Sequence, residues 1–214
     1  MVDSGSDHDD TGAAVARLKR EGDTALAELF ALHRQRLRRM VEMRLDNRVA
    51  GRVDPSDVLQ EAFLDASRQL EGYLADVPMP PFLWLRFLTG QRLMATHRHH
   101  LGAQMRDAKR EVPFDAAAGP QVHSESLSRH LAGRLTTPSR AVARMELQAQ
   151  LQEVVEGMEP LDREILALRH FEELSNNEVA QELGISKAAA SNRYMRALVR
   201  LSTLLADVSG LHPE

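Results

Sequence analysis

Cysteine is absent from the 214 residues of this chain. Its absence excludes a disulfide framework, a cysteine nucleophile and any cysteine-ligated metal site. It also fits a reducing compartment, and a cytoplasmic location is expected. Aromatic residues are scarce: one Trp, two Tyr and six Phe. No apolar run approaches the ~18 residues that a membrane-spanning helix needs, so no span is expected. The first ten residues hold four Asp and neither Lys nor Arg, unlike the basic start of a secretory signal. A glycine-rich phosphate loop, a His-Glu-x-x-His pair and a nucleophile arrangement are missing too. The expected protein is therefore not an enzyme, with no catalytic residue, no metal ligand set and no cofactor.

What is present is enough apolar material, 43%, to bury real cores, with a formal charge of −4. At about 100–200 residues per domain, the length allows one large domain or two small ones. A mildly acidic total speaks against a nucleic-acid partner, but the charge is segregated along the chain. Residues 34–52 hold seven Arg against Glu42 and Asp46, and residues 86–110 hold six Lys or Arg against Asp107 alone. Residues 144–182 reverse the sign, with ten acids against three Arg. Residues 183–205 carry four basic residues and no acid. Such blocks read as separate interaction surfaces.

Helical periodicity dominates and no segment alternates like a half-buried strand, which predicts an all-α protein. Leu26, Leu29, Phe30, His33, Leu37, Met40, Val41 and Leu45 recur at steps of three and four, one face of a helix. A second helix starts at Asp54 as N-cap with Pro55 at its first position, and runs through Val58, Ala62, Phe63, Ala66 and Leu70 toward Tyr73. Pro78, Pro80 and Pro81 interrupt the chain, and a third helix opens at Phe82-Leu83-Trp84-Leu85 and enters the basic block. Periodicity fails between Pro113 and Pro138, where Gly, Pro, Ser and Thr collect, apart from a short helix near Ser124–Leu131. The expected organisation is an acidic disordered tail at 1–11, a helical domain at 12–112, a flexible linker at 113–138, a second helical domain at 139–207 and a tail at 208–214.

The sharpest signal lies in the second domain. Ser175 with Glu178 forms a capping box, Ala180 is small where a second helix must cross, Gly184 suits a left-handed helix end, and Ser186 caps the next helix. This is the grammar of a helix-turn-helix, whose second helix enters the DNA major groove. Ala190, Tyr194, Ala197 and Leu201 form its packing stripe. Arg193, Arg196 and Arg200 fall on another face, where phosphates are met, and Lys187, Ala188, Ser191 and Asn192 lie near its N-terminal end, where base edges are read.

Two halves together carry a resemblance. Leu161 to Leu201, with its Leu-x-x-Arg-Glu pattern, Phe171-Glu172 pair and Ser-x-x-Glu-x-Ala helix-turn-helix, resembles the fourth conserved region of bacterial sigma factors. Asp57-Val58-Leu59-Gln60-Glu61-Ala62-Phe63 is similar to the second-region motif Asp-x-x-Gln-Glu-x-Phe, and Pro81-Phe82-Leu83-Trp84-Leu85 to its Phe-x-Trp-Leu element. The chain thus resembles the small, two-domain extracytoplasmic-function sigma factors of the sigma-70 family over residues 25–110 and 140–206.

The resemblance implies a subunit that joins core RNA polymerase and directs promoter recognition and melting, with no nucleotide chemistry of its own. Asp57, Gln60 and Glu61 would dock on the clamp helices of the largest polymerase subunit, and the stripe Asp57, Glu61, Asp65 suits a basic helix. Further contact would fall on the flap of the second-largest subunit. Arg86, Gln91, Arg92, Arg98, Arg106, Lys109 and Arg110, beside Phe82, Trp84 and Phe87, would serve the −10 element, since aromatics beside cations suit single-stranded DNA. The residues of the helix-turn-helix named above would serve the −35 element. Most of the aromatics, Trp84 included, are expected in the core. The family also implies an anti-sigma partner that hides these surfaces. DNA binding by the chain alone should be weak and strongly salt-dependent.

Departures from the family pattern at Gln91, Ala95, Ala190 and Ser191 bear on promoter sequence. Two alternatives are a helix-turn-helix regulator that does not join polymerase and a metal-dependent nuclease built on His97, His99 and His100. On a helix His97 and His100 share a face and His99 does not, and no acidic ligand lies nearby, so a solvated or phosphate-contacting face is expected there.

Overall fold

A computed structural model of the chain describes residues 6–105, 121–135 and 141–209. They divide into two compact units, one within 1–41 and 46–119, the other within 42–45 and 120–214. Both are helical, and no strand occurs among the described residues.

The first unit holds α1 (Ser6–Glu21), α2 (Asp23–Arg44, up to its last turn), α3 (Asn47–Ala50), α4 (Pro55–Asp76) and α5 (Pro81–Met105). The start of α4 is as expected: Asp54 is extended and accepts from the Ser56 N–H at 2.7 Å, with Pro55 following. α5 packs along α4, and α2 lies against both, through Phe30 edge-on to Phe63 and Arg36 3.6 Å above the Phe82 ring. Trp84 is core, as expected, and stacks on Tyr73 with ring centroids 4.2 Å apart. The Tyr73 hydroxyl donates to the Met79 carbonyl at 2.8 Å, tying the end of α4 to the proline turn.

Two of the expected bounds meet helices. α1 starts at Ser6, inside the stretch expected as a tail. Gly22, at φ 56°, ends that helix in the left-handed conformation glycine adopts without strain. The linker expected at 113–138 likewise gives way in its second half to α6 (Ser124–Leu135), with Val122, Leu127 and Ala132 buried. The short helix near Ser124–Leu131 is the part the sequence disclosed, and the buried residues on it put 120–135 in the second unit.

That unit continues with α7 (Ala141–Glu156), α8 (Pro160–Leu166), a π-helical turn (Ala167–Phe171), α9 (Asn176–Glu182) and α10 (Lys187–Ser209). Met43, Val122, Leu127, Val155, Ala167 and Phe171 form one buried cluster, and Val154, Met158, Leu166, Ala197 and Leu201 another.

Burial pushes the Tyr73 phenol above its ordinary value of 10.0. The folded chain therefore holds that proton more tightly than the unfolded chain. The stabilisation is complete below the ordinary value and is lost as pH rises past it. Urea unfolding between about pH 9 and 11 should show stability falling, and Tyr73→Phe should flatten that fall. An equally steep fall in the variant would contradict this account.

Candidate polymerase and DNA interfaces

α4 presents Asp57, Gln60 and Glu61 together to solvent, while Val58, Leu59, Ala62, Ala66 and Leu70 turn inward. The helical period alone makes this division. Leu64, one turn beyond Gln60 and Glu61, is also exposed, an apolar contribution to this face that sequence reading missed. The stripe is not all free charge. Arg92 on α5 donates from Nε to Asp65 Oδ2 at 2.9 Å and again from Nη2, and its Nη1 lies 3.7 Å from Glu61 Oε2.

This arrangement bears on two of the residues expected at the −10 element. All three guanidinium nitrogens of Arg92 lie near carboxylates, and the side chain is half-buried. Arg86 is only 5% exposed, because the first half of α5 is covered on every side except at Phe87. Gln91 and Arg98 are exposed, and Arg106, Lys109 and Arg110 lie outside the described residues. Of the three aromatics, Phe82 and Trp84 are buried and Phe87 is 49% exposed. Phe87, Gln91 and Arg98 fall at steps of four and seven, on one side of α5.

The histidine run does not form the expected solvated face throughout. His97 is buried, and its Nε2 accepts the backbone N–H of Asp46 at 3.2 Å, which fastens the start of α3 to α5. His99 is exposed. Among the described residues, no three His, Asp or Glu side chains are placed to hold a metal ion, and no helix is long and apolar enough to cross a membrane.

In the second unit the capping box at α9 is complete. Ser175 Oγ accepts from the Glu178 N–H at 3.2 Å, and Glu178 Oε2 accepts from the Ser175 N–H at 2.7 Å. The helix ends as the sequence predicted, with Gly184 at φ 61°. The Ile185 N–H donates to the Ala180 carbonyl at 3.0 Å and the Gly184 N–H to Gln181 at 3.3 Å, a Schellman closure. Ser186 Oγ then accepts from Ala189 N–H at 3.1 Å and starts α10. Across the turn, Asn176 Nδ2 donates to the Lys187 carbonyl at 3.0 Å.

On α10, Ala190, Ala197 and Leu201 are buried, and Tyr194 shares a 2.9 Å hydrogen bond with His170. Lys187, Ala188, Ser191, Asn192 and Arg196 are exposed, and Arg193 is half-buried. Arg200 is exposed too, but its Nη2 donates to the Gly157 carbonyl at 3.0 Å. The N-terminal part of α10 thus offers an acid-free, polar and cationic surface, the part of a recognition helix that reaches base edges.

Fold and site together define a helical DNA-binding protein whose second unit contains a helix-turn-helix. The family model described as sigma-70, region 4, matches residues 148–201. RNA polymerase sigma factor NccH of Alcaligenes xylosoxydans xylosoxydans is 28% identical over 155 residues, which cover 71% of this chain and 73% of that one. RNA polymerase sigma-H factor of Pseudomonas aeruginosa is 27% identical over 144 residues, covering 67% of this chain and 69% of that one. The fold is also that of CnrH, solved in complex with the cytosolic domain of CnrY. That structure aligns with a TM-score of 0.52 and 20% identity, covering 91% of this chain and 96% of that one.

Residues 148–201 thus match sigma-70 region 4, and the chain is similar over about two thirds of its length or more to RNA polymerase sigma factors.

Replacing Ser175 by Ala removes the reciprocal cap and should cost about 1 kcal/mol. Thermal unfolding followed by circular dichroism would measure it. A midpoint equal to that of the unaltered chain would show that the cap contributes nothing.

Proposed function

We propose that this chain is a sigma factor that docks on core polymerase through Asp57, Gln60 and Glu61 and reads promoter DNA through α5 and α10. The observation that carries the reading is the exposure, on different helices, of an acidic stripe and of a recognition helix whose N-terminal part carries no acid. Asp57 and Glu61 match a basic helix such as the clamp helices of the largest subunit, and exposed Leu64 adds apolar contact beside them. The flap of the second-largest subunit is the expected contact of the second unit.

On α5, Phe87 offers a ring on which an unpaired base can stack, Gln91 an amide for a base edge, and Arg98 a cation for the backbone. Base-aromatic stacking contributes about 1–3 kcal/mol per base. Arg106, Lys109 and Arg110 extend this cationic set in sequence, whereas Arg86 and Arg92 belong to the interior and to the α4 ion pair. On α10, Lys187, Ala188, Ser191 and Asn192 meet base edges of the −35 element while Arg193, Arg196 and Arg200 meet phosphates. Polymerase, not this chain, performs the nucleotide chemistry. The work is cytoplasmic, where polymerase and promoter are. A protein partner that covers these surfaces is the expected regulator. CnrH, which shares the fold, is seen in complex with the cytosolic domain of CnrY, and this supports an anti-sigma partner here.

Reconstitution with purified bacterial core polymerase tests the reading: a stable complex and promoter-dependent transcripts are expected. Duplex binding without a polymerase complex would instead indicate a conventional regulator. Asp57→Lys with Glu61→Lys should lower core affinity by about 10-fold or more, since it reverses charge against a basic partner; unchanged affinity would remove this docking surface. Arg193→Ala with Arg196→Ala should weaken −35 duplex binding by about 10-fold, flatten its salt dependence and leave core affinity unaltered. Full retention of duplex affinity would remove α10 from the DNA interface.

A further inference from the structure

Arg44 lies far outside the residues matched by the sigma-70 region 4 family, 148–201. It nevertheless sits inside the second unit, which takes in residues 42–45. Its guanidinium donates from Nη1 to Glu172 Oε1 and from Nη2 to Glu164 Oε1. The side chains of Arg44 and Glu172 are each 1% exposed. Met43 and Leu45 beside it are buried as well, and the Met43 carbonyl accepts from the His123 N–H at 3.0 Å.

The site touched by Arg44 is the turn that delivers the chain into the helix-turn-helix. Glu172 follows the π-helical turn, Glu173 is a non-glycine residue at φ 57°, and Ser175 begins the α9 cap. A side chain held in the left-handed region persists only where its surroundings determine it. Two further contacts clamp the turn: the Leu174 N–H donates to the Leu168 carbonyl at 2.9 Å, and Arg169 Nη1 donates to the Leu174 carbonyl at 2.5 Å. Arg169 also lies over the ring of Tyr194 on α10, 5.3 Å from its centroid.

We propose that Arg44 is a positioning residue for the helix-turn-helix. By fixing Glu172 and Glu164 it sets the turn at 172–174, and through it the direction in which α9 and α10 are presented to DNA. The proposal rests on the reading of α10 as the helix that enters duplex DNA. Arg44 itself, buried against carboxylates, meets no phosphate.

The test uses the full chain. Arg44→Met keeps most of the side-chain bulk and removes the charge. At a temperature well below unfolding, its helix content by circular dichroism should equal that of the unaltered chain. Hydrogen exchange at the amides of α9 should accelerate about 10-fold or more, with α4 unchanged as the internal control, and −35 duplex affinity should fall to a similar degree. Glu172→Gln alone should move both readouts in the same direction by less.

Unchanged α9 exchange in Arg44→Met overturns the proposal. So does faster exchange with full duplex affinity, which would leave Arg44 a purely structural role. Should Arg44→Met fail to fold, Glu172→Gln decides: unaltered exchange and affinity there overturn it. The Arg193→Ala, Arg196→Ala variant in the same binding assay keeps the two readings apart. If it binds duplex as well as the unaltered chain, the DNA reading of α10 fails, and α9 exchange still shows whether Arg44 holds the turn.

Discussion

A guanidinium with almost no contact to water has to be answered by carboxylates at the same place, and Arg44 obtains two of them, Glu164 and Glu172. Removing a charge from water costs several kcal/mol per ion even after relaxation, so the pair yields little net stability against an apolar substitute. What it yields is selectivity: an arrangement that separates these three groups strands a buried charge. The last turn of α2, the body of α8 and the exit of the π-helical turn are therefore set against one another. The buried cluster of Met43, Val122, Leu127, Val155, Ala167 and Phe171 fills the space around them. The two remaining helices of the second unit, α9 and α10, follow from that turn.

The parts of the fold legible in the sequence are those governed by short-range rules. Asp54 and Pro55 mark the start of α4, Ser175 with Glu178 the start of α9, and Gly184 its end, because a cap is settled within four residues. The division of α4 into a buried side and an acidic side follows from its period. Phe82-Leu83-Trp84-Leu85 announces a covered helix by having no polar face. What escaped are outcomes set by distant partners. Nothing near Arg86 says that this arginine is buried, and nothing near Arg92 says that its counter-charges stand 27 and 31 positions earlier on α4. Arg44 and its carboxylates are 120 and 128 positions apart. α1 escaped for a different reason, since its acidic start has the composition of a solvated tail.

These internal uses of arginine change what the charge blocks mean. Counted along the chain, residues 34–52 and 86–110 are strongly cationic. In the fold, Arg36 lies over Phe82, Arg44 faces two carboxylates, Arg86 is buried and Arg92 braces the acidic stripe of α4. Cations in a block are therefore not all cations on a surface: Arg34, Arg38, Arg48, Arg52 and Arg98 are exposed, while the four named above are put to internal use. The same holds for acids: Asp65 and Glu172 answer internal arginines, whereas Asp57 stands exposed.

A subunit with the function proposed above gains from this division. If every basic residue faced solvent, the chain would bind any duplex through phosphate contacts that carry no sequence information. The internal pairs reduce the number of exposed cations, and those at the start of α10 are interleaved with exposed polar groups, Ser191 and Asn192. Each cationic stretch alone supports only modest affinity, and affinity grows when two are held on one DNA by a common body, because the second contact is then made at high effective concentration. A subunit that binds core polymerase through an acidic face acquires that common body only inside the complex. The acidic face and the restrained basic ones therefore belong to a single requirement: sequence reading that becomes strong where polymerase is present and stays weak elsewhere.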